Sequence, residues 1–466
     1  MVAMVEILSV GQNAPSQSPS SQSSGDASTA AAPAGATSAI SGLLPEGGTG
    51  DTNSSLPQIP ALLGGMGISS ATASEAQKSN YLRGGVNVSA AYDDNPLLVS
   101  SGGESNTSET IFPSIRIEES TARVRWSLGY AGGLTVNQKI TSQNTGSQNL
   151  SFDSQYRLSP HVNLRMAENF SETTGFFDGG NGAEVVAGGG GSNSSLVTPL
   201  STERSSITTV ETNYHIALND LIGASGSFYV LNFSNVPAGT QLTNSQTASA
   251  SAFWLHRIFG SDWSGLSYHF QRITSNPGNS ETQVHSFLAT NALSLWKRLT
   301  LNSFIGPQYS ENQGLITGAA QSTQSSVWSV GGGVEGGWQG ERTGAAAGYS
   351  RSVSDGGGIL GAVHLQVVHG NFRRIVVPGW TVAMNASHAT NQSITVSSTT
   401  SANSINLTSA GVTLEHNAGK SIGFRLGYTH DFQEQFGVTG STQAVDANRN
   451  RFFVTFSYQW AKPLGM

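Results

Sequence analysis

From Tyr81 onward the chain alternates apolar and polar residues in stretches of about ten, the pattern of strands that cross a membrane with one face in lipid. The last stretch is the clearest: Phe452, Val454, Phe456, Tyr458 and Trp460 share one face, and Phe453, Thr455, Ser457 and Gln459 the other. A period of two places the first set in lipid and the second in an aqueous lumen. The same phase sets Val124, Trp126, Leu128 and Tyr130 against Arg123, Arg125, Ser127 and Gly129. It sets Val162, Leu164, Met166 and Phe170 against Asn163, Arg165, Ala167 and Asn169, and Leu266, Tyr268 and Phe270 against Ser267, His269 and Gln271. Ile422, Phe424, Leu426 and Tyr428 oppose Gly423, Arg425 and Gly427 in turn. Over 403–414 the phase slips, as a β-bulge would require.

The connections alternate too. Short ones fall near Glu119, Ser159, Asn219, Gly260, Gly340 and Ala418, and long polar, Gly-rich ones over 96–107, 135–145, 175–202, 311–323, 391–402 and 433–448. Short periplasmic turns and long outer loops belong to an up-and-down barrel. The pattern therefore predicts a transmembrane antiparallel β-barrel over 81–466, of about 18 strands with 16 as the alternative, because bacterial barrels have even strand numbers. Aromatic residues near strand ends, such as Tyr92, Tyr130, Tyr156, Phe170 and Trp460, fit interfacial girdles. A solenoid would show a fixed repeat, and none is found.

Composition sharpens this reading. Only 11% of the 466 residues are charged, and polarity comes from Ser, Thr, Asn, Gln and 56 Gly. That is too little charge for a soluble domain, which carries roughly 25%, and it suits a wall between lipid and water. A net charge of -7 gives no basic field for nucleic acid. The absence of Cys rules out disulfides and thiolate metal sites and is compatible with export.

Residues 1–80 are rich in Ser, Ala, Gly and Pro and hold too few large apolar side chains to offset the entropy of ordering, so a disordered segment is expected there. Met1 to Val10 lacks a basic n-region and Glu6 interrupts its apolar stretch, which points to a truncated or missing signal peptide.

The candidate chemistry lies in the lumen. Arg116, Arg123, Arg125, Arg157 and Arg165 fall on the inward phase with Glu118 and Asp153, and His269, Gln271 and Arg425 join them as pore-lining candidates. Charges that line a narrow aqueous pore set its selectivity, and an Arg–carboxylate lattice that stiffens the wall is the competing reading. Asp93 and Asp94 together supply too few ligands for calcium and read as a strand-end turn. His364 and His369, the closest His pair, fall on opposite strand faces. Gly188 to Gly191 lack the Lys and Ser/Thr of a phosphate loop, and no nucleophile elbow occurs. No enzyme, metal or cofactor is expected.

The first strand, with Tyr92-Asp93-Asp94-Asn95 at its end, the many alternating strands and the aromatic last strand resemble the β-barrel porin 2 family of Gram-negative bacteria. The resemblance runs from Leu82 to Trp460 by architecture. It implies an outer-membrane channel for small or saccharide-type solutes, an association with polysaccharide export, and contact with outer-membrane lipid and lipopolysaccharide. It also implies that the barrel-assembly machinery reads Phe456, Tyr458 and Trp460, although Ala461 to Met466 extend past the aromatic end. An anionic solute or a saccharide is the expected cargo. The alternative is a non-conducting barrel that serves as an anchor or surface adhesin.

Overall fold

The computed structural model describes residues 80–464 apart from 98–102, 142–143, 175–200, 237–241, 260–261, 277–279, 296–297, 316–321, 357–360, 395–403, 420 and 437–446. The segment expected to be disordered, up to residue 79, lies outside the described residues.

Strands follow one another along the whole described chain. They begin with β1 (Tyr81–Asp93), β2 (Asn106–Ser120), β3 (Val124–Asn137), β4 (Thr145–Arg157), β5 (Val162–Thr174) and β6 (Thr202–Ala217). The middle third is β7 (Asp220–Ser234), β8 (Asn244–Phe259), β9 (Asp262–Asn276), β10 (Ser280–Leu295), β11 (Leu299–Leu315) and β12 (Ser322–Gln339). The last are β13 (Thr343–Ser354), β14 (Val363–Val377), β15 (Trp380–Ser393), β16 (Ser404–Ala418), β17 (Ile422–Phe436) and β18 (Ala447–Pro463).

Each strand pairs antiparallel with the next, and β1 pairs with both β2 and β18, so the 18-stranded sheet closes. Val88 faces Ile111 on one side and Phe456 on the other. Closure removes every sheet edge, which is what lets a sheet cross lipid without orphaned backbone groups.

The outward phase is the apolar one. Ile111, Leu134, Leu266, Ile305, Val330, Val368 and Phe456 are all exposed on the outer surface. Aromatic side chains flank this band, with Trp254, Trp338 and Trp460 toward one end and Tyr92, Trp328 and Phe452 toward the other. An even-stranded closed barrel with such a band is the form of a bacterial outer-membrane protein, and this chain is one.

Connections at one end hold two to four residues, while at the other they range from three to 27. By the rule for such barrels the short turns are periplasmic. The structure adds 235–243, 277–279 and 355–362 to the long-connection end and 296–298 and 378–379 to the other.

One expectation is corrected. Of the stretch 403–414, the described residues 404–414 hold no bulge: β16 keeps an unbroken register with β15 and β17. The apolar residues change face instead. Ile405 and Leu407 point inward, buried among Val363, Leu365, Val367 and Ala389, whereas Val412 is exposed on the outer surface. The register shifts lie at strand ends on the short-turn side, at Ile375/Val377, His215/Ala217 and Arg257/Phe259.

The inner face is therefore not uniformly polar. Leu221, Phe253, Leu255, Trp263 and Ala292 form a second buried apolar cluster on the inner side of β7 to β10.

Candidate functional site

The inward phase of β1 to β5 gathers the cations that the sequence singles out. Arg116 and Glu118 lie on β2, Arg125 on β3, Asp153 and Arg157 on β4 and Arg165 on β5, all toward the short-turn end. Closure adds Arg83 of β1, which sits opposite Arg116 in register. Only the closed ring makes Arg83 a neighbour of this group, because 33 positions separate it from Arg116 in sequence.

Glu118 holds two guanidinium groups: Arg83 Nε donates to its Oε2 at 3.0 Å, and Arg116 Nε stands 2.9 Å from its Oε1 without hydrogen-bond alignment. Arg116 Nη2 donates to Ser127 Oγ at 3.0 Å. Arg165 grips Asp153 Oδ2 through Nε at 2.9 Å and Nη2 at 2.6 Å. Arg125 and Arg157 make no ion pair among the described residues. Arg123 departs from the expectation. It lies in the turn just before β3, exposed, with its carbonyl accepting from Arg157 N at 2.8 Å.

Across the β1–β18 seam the wall carries more charge. Arg425 Nε stands 2.7 Å from Glu415 Oε1. Nearer the long-connection end, Arg449 contacts Asp93 Oδ2 through Nε at 2.7 Å and Nη2 at 2.6 Å, and Arg451 Nη2 reaches Asp431 Oδ2 at 3.1 Å. Ser409 Oγ donates to the same Asp431 at 2.7 Å. Asp93 is thus an ion-pair partner. Asp94 closes the strand end, accepting from Asn450 N and Nδ2, each at 2.7 Å. Sequence reasoning missed Arg449 and Arg451, though their alternation with Asn448 and Asn450 at the head of β18 carries the signal.

The opposite wall, β7 to β11, is lined mainly by hydroxyls and amides, with Arg257 of β8 the inward cation, its guanidinium 5.8 Å from the centre of the Trp263 ring. Ser225 and Ser251 hydroxyls pair at 2.6 Å, Ser227 and Ser249 at 2.9 Å, and Gln308 Nε2 donates to Ser286 Oγ at 3.1 Å. His269 and Gln271 belong to this wall. His269 sits half-buried in register with Ser251 and Ser286, and its Nδ1 has no hydrogen-bond partner among the described residues. Of the closest His pair, His369 lies beside Glu335 at 3.4 Å, both buried in the wall, and His364 belongs to the opposite phase of β14. No group of three or more His, Asp or Glu is placed to hold a metal ion among the described residues.

One contact inside the barrel joins strands that are not neighbours. Ser245 Oγ of β8 donates at 2.8 Å to Oδ2 of Asp355, which follows β13, and four strands separate the two along the wall. Ala362, at the other end of the same connection, packs with Ile273 of β9 and Val284 of β10. Asp355 and Ala362, at the two ends of the β13–β14 connection, therefore lie against the inner side of the wall near the long-connection end. Phe456, Tyr458 and Trp460 lie together on the outward face of β18, and β18 stays paired to β1 as far as Pro463.

No protein-family model and no curated protein sequence matches this chain. Three solved structures similar to it are distant in sequence. The ferric citrate transporter FecA in its unliganded form is 9% identical, with a TM-score of 0.43 over 81% of this chain and 78% of that one. Pseudomonas aeruginosa OpdK with vanillate is 10% identical, with a TM-score of 0.41 over 82% of this chain and 99% of that one. Pseudomonas aeruginosa OccK2 (OpdF) in complex with glucuronate is 10% identical, with a TM-score of 0.42 over 82% and 98%. The barrel assignment rests on the closed strand ladder described above.

Proposed function

We propose that the barrel is a porin-like channel for small solutes with a bias toward anions. One observation carries the reading: on the periplasmic half of β1 to β5, Arg83, Arg116, Arg125, Arg157 and Arg165 face inward and outnumber the carboxylates beside them, Glu118, Asp153 and, in register with Arg165 on β6, Glu211. Ion pairing neutralises part of that set, but Arg125 and Arg157 keep their charge for the lumen. A cationic strip facing a wall of hydroxyls suits an anionic solute with hydroxyl or amide groups, since pore-lining charge sets the electrostatic barrier to entry.

The test is reversal potential in a salt gradient across a planar bilayer. The wild-type chain is expected to prefer anions, most strongly at low salt, because screening shortens from about 30 Å at 0.01 M to about 3 Å at 1 M. Arg125→Gln with Arg157→Gln removes the two cations that hold no carboxylate and should move the reversal potential toward cation preference. An unchanged potential would assign the arginines to wall stiffening. The connection bonded through Asp355 and Ser245 favours a second reading, a barrel closed to solutes that acts as an anchor. Absence of conductance from both the wild-type chain and Asp355→Ala would establish that reading instead.

A further inference from the structure

A sheet buries an apolar face against another element, yet the inner cluster on β7 to β10 draws on a single layer of wall. Leu221, Phe253, Leu255, Trp263 and Ala292 all come from these four adjacent strands. They alternate with outward residues such as Ile222, Trp254 and Leu266, so their tips point into the lumen. Neighbours within one layer cover each other's flanks and leave such tips bare. Even so, Leu221, Leu255 and Trp263 are 0%, 1% and 2% exposed. Water in a lumen does not favour apolar side chains, and taking them out of it requires a second layer.

The cluster sits at the periplasmic end. Leu221 and Trp263 are the second residues of β7 and β9, strands that start from short turns. The chain enters the barrel at this same end. Asn80, just before β1, is fixed there: its Oδ1 accepts from Ser120 N at 2.9 Å and its carbonyl from Leu464 N at 2.8 Å. The apolar stretch nearest to it in sequence is Leu56 to Met66, with Leu56, Ile59, Leu62, Leu63 and Met66. β10 lies nine strands from β1 in either direction, straight across the ring. The 14 residues from Gly67 to Asn80 reach up to about 46 Å when extended. That exceeds the bore of roughly 35 Å expected for 18 strands set about 4.8 Å apart and tilted by about 40°. Charge agrees as well. Residues 1–79 hold Glu6, Asp26, Glu46, Asp51 and Glu75 against Lys78, while Arg125 and Arg157 on the other side of the mouth make no ion pair among the described residues. The long connection over 175–201 starts from the opposite end of the barrel.

We infer that Leu56 to Met66 turns back through the periplasmic mouth and lies on the inner cluster of β7 to β10, an internal plug formed by the chain's own leading segment. The acids on either side of that stretch, Glu46, Asp51 and Glu75, then stay within the field of the arginines of β1 to β5. This placement is independent of whether solutes pass, and its test needs no conductance.

The chain has no cysteine, so an introduced pair reports its own contact. In the full chain folded into lipid bilayers, Leu62→Cys with Ala292→Cys should form an intramolecular disulfide under mild oxidant, identified as a linked peptide by mass spectrometry. Ser294→Cys, two residues along the same inner face, replaces Ala292→Cys if that variant loses its heat-modifiable mobility. Leu62→Cys with Val367→Cys, inward toward the long-connection end of β14, should not link. Alone, Ala292→Cys should resist a small maleimide, and adding Ile59→Ser, Leu62→Ser and Leu63→Ser should abolish that protection. A link to β10 no stronger than the one to Val367→Cys overturns the inference. So does protection that survives the three serines in a folded barrel. A disulfide from Leu196→Cys to Ala292→Cys in place of the one from Leu62→Cys also overturns it, and assigns the cover to the connection over 175–201.

Discussion

Phe456 and Ser457 are neighbours in sequence, yet the thickness of the barrel wall separates their side chains. Phe456 is exposed on the outer face opposite Val88 and Phe424, while Ser457 faces inward beside Asn87 and Gly423. Phe456→Arg should therefore impair folding into bilayers by about 2–4 kcal/mol, the cost of a cation at the lipid midplane. Ser457→Arg should fold normally, because its charge reaches the lumen. Heat-modifiable gel mobility separates the two, and equal damage from both would mean the register is wrong. Residue size is set just as locally where strands approach closely. A Cβ at Gly427 would lie 2.2 Å from the ring of Phe453, and one at Gly84 would lie 2.4 Å from Trp460. Each aromatic ring lies over the glycine of the adjacent strand and covers backbone that glycine alone leaves bare, part of why so glycine-rich a chain can build an ordered wall.

Within single elements, β16 shows how a regular strand can hide behind an irregular sequence. Its register is unbroken, yet its apolar residues face the lumen near the outer end and lipid near the periplasmic end. The inner cluster of Ile405, Val363, Leu365, Val367 and Ala389, with buried Leu407 in register with Ala389, is the cause: it makes an apolar side chain favourable on what is elsewhere the polar phase. Leu407→Ala should then cost about 2–5 kcal/mol, as for a buried leucine elsewhere, measured as a shift of the denaturant unfolding midpoint. A cost below about 0.5 kcal/mol, typical of surface positions, would show that Leu407 faces lipid and that the strand bulges after all. β5 carries the complementary irregularity, a carboxylate on the apolar phase at Glu168.

For the whole molecule, connection length fixes which end of the barrel faces out. Lys139, in the connection after β3, and Leu218, in the two-residue turn before β7, lie at opposite ends. In this cysteine-free chain, Lys139→Cys should be labelled on intact cells by a membrane-impermeant maleimide. Leu218→Cys, at a position 91% exposed, should be labelled only after the outer membrane is permeabilised. The reverse pattern would invert the topology and move the β1 to β5 cations to the outer mouth. The two ends also differ in what they carry: the Asp355–Ser245 bond joins distant strands near the outer end, whereas the arginine strip lies near the other.

The sequence by itself determined the class of fold, because an alternation of period two repeated along the described chain and broken by short and long connections has one solution in a membrane, a closed ring of paired strands. It also determined which side of most strands meets lipid, since that side must be apolar along its length. It could not determine which strands end up side by side across the ring's seam, and so Arg83 joined Arg116 and Glu118, and Arg449 joined Asp93, only on closure. Nor could it reveal the inward apolar clusters, the contact of Asp355 with Ser245 of a distant strand, or the place of Arg123 in a turn. Those depend on contacts between residues far apart in the chain, and a period-two pattern records only the two faces of a strand, not what each face meets.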